Sequence, residues 1–208
     1  ESYDGTKTDF SEPIQKLTGE FYPVPDVLLP KVPEEPDVKA VDADKDEPEI
    51  EIDFQALFIP DSPSRLNLIL PQLAFNDATG MYLAGTNLWH HKSLLEGAKG
   101  YYSRAVITDG FFSSSRNPVT LQFARTFESL YGEKPQFLEA IAYDTTMILF
   151  QTALSFGIDS REALKNELSS RRLFEGVTGL TTFDPEGVAQ RELFLITIKN
   201  GQFVEISR

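Results

Sequence analysis

The 208-residue chain contains no cysteine. Disulfides, thiolate metal sites and cysteine nucleophiles are therefore excluded. An oxidising compartment is compatible with that absence but not required by it. Histidine is nearly missing as well. The only two, His90 and His91, are neighbours, and adjacent side chains diverge on a helix or a strand. They do not form a natural two-ligand metal face. Long apolar runs are also lacking: the longest, near Phe54–Pro60, is a handful of residues, against ~20 for a membrane-spanning helix. Cations are in the minority, with 19 Lys and Arg against 32 Asp and Glu, for a formal charge of −13. Phosphate backbones and anionic membranes are held by clustered cations, so neither is an expected partner. No GxSxG elbow, GxGxxG fingerprint or phosphate-binding P-loop occurs. The expectation is a non-catalytic chain with no metal and no cofactor. No signal peptide is visible and the first residue is Glu1, so the chain reads as cut from something longer.

What is present suits a soluble globular chain of one to two domains: 41% hydrophobic and 25% charged residues. The acidity is concentrated. Residues Pro33–Asp53 hold ten acidic and two basic residues, carrying −8 of the net charge. Prolines 23, 25, 30, 33, 36 and 48 punctuate that stretch and its approach. It cannot bury enough apolar surface to offset its ordering entropy. Residues 22–50 therefore read as an extended acidic, Pro-rich insertion. Asp42-x-Asp44-x-Asp46 looks like the opening of a calcium loop, and Asp53 falls at the twelfth position. The sixth position is Glu47, however, where the sharp turn needs glycine, and Pro48 follows.

The remainder alternates. Asp9 opens a short helix to Thr18, with Phe10, Ile14 and Leu17 on one face. Phe54–Ile59, Met81–Ala84 and Arg104–Thr108 read as strands. Asp61–Ser62–Pro63 is a helix-start signal for a helix to about Asn76, with Pro71 inside it as a candidate kink. Ser93–Ala98 is a short helix. Asn117–Pro118 opens a helix ended by Gly132. Gln136–Phe156 is apolar on nearly every side, which predicts deep burial. Asp159 or Ser160 caps a helix to about Arg171. Asn200–Gly201 between two apolar runs signals a hairpin. The pattern reads as β-α-β-α-β-α-β, three helices and a terminal hairpin: an α/β chain with an open parallel sheet.

Ligands of open α/β sheets bind beyond the carboxyl ends of the strands. That rule selects the loops Pro60–Ser64, Gly85–His91 and Asp109–Ser113. Candidate ligand-binding residues there are Asp61, Ser62, Asn87, Trp89 and Phe112, a mixture of carboxylate, hydroxyl, amide and aromatic groups suited to a small molecule. Asp61 and Ser62 also fit a purely capping role, and Trp89 a packing one. Ser113, Ser114, Ser115 and Arg116 read as a hinge or linker.

Several segments carry a family likeness: Tyr131–Pro135, Ala140–Asp144, Gly176–Gly187 and Leu193–Ile206, with Tyr3–Asp4, Thr8–Phe10, Leu57–Pro60 and Leu83–Asn87 upstream. Their order and spacing resemble the C-terminal half of type I periplasmic binding proteins, the receptors of branched-chain amino-acid ABC transporters and their relatives. The resemblance implies two α/β lobes closing like a hinge, with part of the first lobe missing. Residues 1–113 and 189–208 would form the second lobe, and residues 114–188 the C-terminal part of the first. It implies a small polar solute bound between the lobes, in the periplasm or cell envelope of a bacterium. In amino-acid receptors of the family, the loop matching Gly85–Trp89 commonly places an acid against the ligand's ammonium. Here it offers Asn87 and no acid, and a buried ammonium without a carboxylate is costly. The same fold also occurs in lipoproteins that activate penicillin-binding proteins. The alternative reading is therefore a regulatory domain whose partner is an envelope protein. Either way, the apolar helix 136–156 needs cover from a missing N-terminal half of the same protein or a second copy of the chain.

Overall fold

The computed structural model describes residues 3–19, 52–97, 100–156, 158–170 and 173–206. The acidic insertion at 22–50, with its calcium-loop look-alike, lies outside the described residues. Two groups of elements emerge, each with its own sheet.

The first group is built on a five-stranded sheet in the order β1-β2-β3-β7-β8. β1 (Ala56–Phe58), β2 (Tyr82–Gly85) and β3 (Ala105–Asp109) run parallel. β7 (Phe194–Lys199) adds antiparallel to β3, and β8 (Gln202–Glu205) antiparallel to β7. The connecting helices are α1 (Ser11–Thr18), α2 (Pro63–Phe75) and α3 (Lys92–Gly97). Strand alternation sends Leu57, Leu83, Ala105, Ile107, Ile196 and Ile198 to one face, where they meet Leu66, Ile69, Leu70 and Leu73 of α2. The other face carries Phe58 and Tyr82, both exposed. The hairpin turn expected at Asn200–Gly201 forms, with both residues at positive φ, 52° and 71°. That left-handed pair matches the twist of the flanking strands.

Helix signals in the sequence map closely onto these elements. Pro63 sits in the first turn of α2, and the N-cap is Ser62 rather than Asp61. α2 stays continuous through Pro71. Asp9 Oδ1 accepts from the Ser11 backbone N–H at the start of α1, and Ser160 Oγ accepts from Ala163 N–H at the start of the helix that follows.

The second group comprises α4 (Pro118–Tyr131), α5 (Phe137–Phe156), α6 (Arg161–Ser170) and a three-stranded antiparallel sheet. Its strands are β4 (Phe174–Gly176), β5 (Gly179–Phe183) and β6 (Ala189–Arg191). This sheet corrects the expected pattern, which left 173–191 unassigned and counted four alternating strands where there are three. Short strands broken by glycine and a β-turn present too few alternating residues to register as a period.

Within this chain, the burial expected of α5 extends to one stripe. Ala140, Asp144, Ile148 and Thr152 form a buried stripe at helical spacing. Leu138 is 72% exposed and Leu154 67%, and Phe150 and Leu149 also face outward. Among the described residues of α5, that stripe is the buried one. Among the described residues, no helix is long and apolar enough to cross a membrane.

Candidate functional site

The three loops selected from the sequence do follow the carboxyl ends of β1, β2 and β3, and two side chains tie them together. The first is Trp89. Thr86 caps a single 3-10 turn, Asn87–Trp89, by accepting from Leu88 N–H. That turn folds the indole back over Gly85, whose missing side chain leaves the room: a Cβ there would overlap the ring. Trp89 Nε1 donates to the Ile59 carbonyl at 3.0 Å, so the second loop is pinned to the first. Trp89 is 0% exposed and lies in the main hydrophobic core. Its assignment as a ligand contact is thereby corrected. A large aromatic ring with one donor is most stable with its body buried and its N–H paired, and this fold supplies both. Phe112 is corrected on the same ground, since it is buried in that core.

The second tie is His90. Its Nδ1 lies 2.6 Å from Asp109 Oδ2, linking the loop after β2 to the end of β3. Asp109 is buried, and its Oδ1 accepts from Phe111 N–H at 3.4 Å. The His90 ring sits edge-on to Phe203 at 4.7 Å between centroids and tilted to Phe112 at 5.5 Å. The two histidines turn to different partners, as adjacency requires: His91 Nδ1 pairs with Ser93 Oγ at 2.7 Å. The His90–Asp109 pair was not singled out from the sequence. Nineteen positions separate its members, and only the parallel pairing of β2 with β3 brings their ends together.

The remaining candidates are at the surface. Asn87 is exposed. Asp61 and Ser62 are half-buried. Asp61 accepts from the Tyr3 hydroxyl at 2.6 Å and the Ser62 N–H at 2.6 Å. Partial burial pulls the Asp61 carboxyl upward, but the Tyr3 hydroxyl, Ser62 and the Arg65 cation outweigh it and hold the group below its ordinary value. Burial, then the same bond and the Asp61 charge, push the Tyr3 phenol up to about 12. Both oxygens of Asp61 are thus engaged within the chain.

Beyond the third loop the chain crosses from one group of elements to the other. Phe111 packs with Ala140 and Val177, whereas its neighbour Phe112 packs in the main core. Ser115, expected as linker, is buried. Ser115 Oγ and Arg116 N–H both donate to Glu205 Oε2, at 2.8 and 3.0 Å. A cavity of about 300 Å³ opens beside this clasp, lined by Arg116, Asn117, Thr178, Glu192, Phe194 and Glu205 among others. Further on, Asp144 is 2% exposed and accepts from Val177 N–H, Thr178 N–H and Thr178 Oγ1 at 2.8, 2.8 and 2.5 Å. That carboxylate locks α5 to the turn between β4 and β5, and Thr120 Oγ1 of α4 holds the Val177 carbonyl at 2.8 Å. It is a structural cluster, fully satisfied.

Comparison with known proteins places this architecture. A search of curated proteins finds no match. Solved structures are similar in fold. A candidate branched-chain amino acid ABC transporter from Rhodospirillum rubrum is 23% identical at a TM-score of 0.67, over 73% of this chain and 44% of that one. The branched-chain amino acid transporter substrate binding protein LivJ of Streptococcus pneumoniae, in complex with isoleucine, is 19% identical at 0.58, over 98% and 51%. A solute binding protein of an ABC transporter from R. palustris, in complex with benzoate, is 16% identical at 0.52, over 73% and 42%. The chain thus spans about half the length of the solved proteins it resembles. A model of the family described as periplasmic binding protein matches residues 55–202; this chain belongs to that family.

Proposed function

We propose that the chain is the C-terminal part of a solute receptor serving an ABC-type uptake system in the periplasm of a bacterium. It acts by binding and performs no catalysis. Residues 1–113 and 189–208 form one lobe, and residues 114–188 belong to the other. The solute sits beyond the carboxyl ends of β1–β3, where Asn87 and the Asp61–Ser62 corner face it. The carrying observation is that the three loops at those strand ends are stitched into one rim by Trp89 and His90. A rigid rim with exposed polar groups is what a small polar ligand needs.

The same reading accounts for the bare apolar surfaces. Phe58 and Tyr82 on the open face of the first sheet, and Leu138, Phe150 and Leu154 on α5, are exposed. Soluble proteins rarely leave such patches uncovered. The rest of a polypeptide about twice this length covers them; a second copy of the chain is the other possible occupant. The regulator alternative, with an envelope synthase as partner, finds no support in these comparisons.

A thermal-shift panel on the full-length protein tests the reading. A bound solute raises the melting temperature by mass action. Asn87→Ala should weaken that shift while leaving the unliganded melting temperature within about 2 °C. If amino acids, organic acids, sugars and polyamines all leave the protein unshifted, the receptor reading fails.

A further inference from the structure

We infer that the cavity at the crossover between the two groups of elements is a second binding site, separate from the loops at the ends of β1–β3. Its ligand is a small organic ammonium ion that carries a hydroxyl, an amino alcohol with an apolar body, and an occupant there holds the two groups at one angle. The inference goes beyond the solute-receptor reading and does not depend on which solute is taken up.

The cavity lies where the chain passes twice between the groups. Arg116 and Asn117 belong to the segment leading from β3 to α4, and Glu192 to the segment leading from β6 to β7. Thr178, in the β4–β5 turn, belongs to the second group, whereas Phe194 of β7 and Glu205 of β8 belong to the first. The loops Pro60–Ser64, Gly85–His91 and Asp109–Ser113 contribute none of the lining. Walls drawn from both groups mean that any change in the angle between them reshapes the space, so a body filling it resists that change. The volume of about 300 Å³ lies at the lower end of the range for small-molecule sites, ~300–1,000 Å³.

Two polar atoms on the wall are unpartnered among the described residues. Glu205 Oε2 accepts from Ser115 Oγ and Arg116 N–H, which leaves Oε1 as an open acceptor. Asn117 Oδ1 accepts from Val119 N–H, which leaves the Nδ2 amide as an open donor. Ser115 Oγ also accepts from Asn117 N–H at 3.1 Å, so both groups are set on one hydrogen-bonded frame around a buried hydroxyl. Arg116 and Glu192 are engaged in interactions of their own. The lining holds one cation, Arg116, and two anions, Glu192 and Glu205, and that balance favours a positive ligand. An ammonium donating to Glu205 Oε1 makes a charge-assisted bond, the stronger kind. A hydroxyl oxygen on the same ligand accepts from Asn117 Nδ2. Phe194, Leu195 and Ile206 supply apolar wall for the carbon body. A carboxylate in the same place would be repelled by Glu205.

The probe is trans-2-aminocyclohexanol, with trans-2-hydroxycyclohexanecarboxylate as its counterpart of opposite charge. Both are titrated calorimetrically into the full-length protein at about pH 7, where an aliphatic amine is protonated. The amine should bind with a dissociation constant of about 1 mM or below, and the carboxylate should not bind. Hydrogen exchange with the amine present should slow at 113–117 and 192–195 and stay unchanged at 60–64 and 85–91. Glu205→Gln keeps an oxygen for Ser115 and Arg116 and removes the charge, so it should bind the amine at least about fivefold more weakly. If that variant does not fold, the exchange map on the unaltered protein decides. The inference is overturned if the amine does not bind, if the carboxylate binds as tightly, if folded Glu205→Gln binds the amine unchanged, or if protection appears at 60–64 and 85–91 instead of the crossover. The receptor reading survives each of those results, and the thermal-shift panel decides it separately.

Discussion

The two halves of this chain bury their apolar residues very differently. Among the described residues, eighteen buried ones form one continuous core around the five-stranded sheet, from Phe10 of the N-terminal segment to Ile198 of β7. Around α4, α5 and the small sheet, the corresponding cluster of described residues is Phe111, Ala140 and Val177. Yet α5 is the most apolar of the described helices. The difference teaches that hydrophobicity is a demand for cover, and that the first half satisfies most of it internally while the second satisfies little. What holds the second half is polar in large part. Asp144 accepts three hydrogen bonds from the β4–β5 turn, and Glu205 clasps the crossover. An aromatic ladder of Phe123, Phe127, Tyr131 and Tyr143 links α4 to α5.

Trp89→Ala should break the first half most severely. Removing a fully buried indole and its bond to Ile59 costs about 3–5 kcal/mol, read as a fall in the denaturation midpoint. The same change should free the loops it joins, so solute binding falls together with stability. Asp144→Ala attacks the second half. It strands two buried backbone N–H groups and a hydroxyl, at about 2–4 kcal/mol. Its signature is early hydrogen exchange in α5 and β4–β5 with the five-stranded sheet still protected. If protection is lost everywhere at once, the two halves are one cooperative unit and the comparison fails.

Tyr3→Phe is smaller, under about 1 kcal/mol, because the pair with Asp61 is largely solvated. Its pH dependence is specific. Asp61 is held below its ordinary 3.8, so its contribution is complete above that value and is lost as pH falls through the lower folded-state value. Tyr3 is pushed from 10.0 up to about 12, so the bond holds below 10 and is lost as pH rises through about 12. Melting temperatures of wild type and Tyr3→Phe should converge at both extremes.

The smallest effect is the most telling. Leu138→Ser and Leu154→Ser should change the stability of the 208-residue chain by no more than about 0.5 kcal/mol, since both side chains are exposed in it. In the full-length protein the same changes should cost about 2–5 kcal/mol if those residues are covered there. Equal, small effects in both would remove the covering proposal.

Much of the fold was legible because the local signals are strong. Ser62–Pro63 starts α2, Asn117–Pro118 starts α4, Gly132 ends it at φ 78°, and Asn200–Gly201 turns the final hairpin. Each is settled within four or five residues by backbone sterics and capping. The small sheet was not legible, because β4 and β6 are three residues long and show no period. Of the candidate site, the loops could be chosen from topology, but not the residues facing outward. Asn87 and Trp89 are two apart in sequence; one is exposed and the other has no exposed surface. The 3-10 turn and the gap over Gly85 decide that, and neither is visible as a pattern.

By itself, then, the sequence determined the class of the chain. Alternating α and β segments already meant an α/β chain with a parallel sheet, and the order of its segments already resembled the periplasmic binding proteins. It determined where the helices begin and end, since those limits depend on nearest neighbours. Tertiary structure alone decided that Trp89 stitches two loops from within the core and that His90 meets Asp109 at the ends of adjacent parallel strands. It also decided which stripe of α5 is buried among the described residues. Each depends on which residues distant in sequence are brought within a few ångströms, and pairing of strands and closing of a core fix those distances only after the chain has folded.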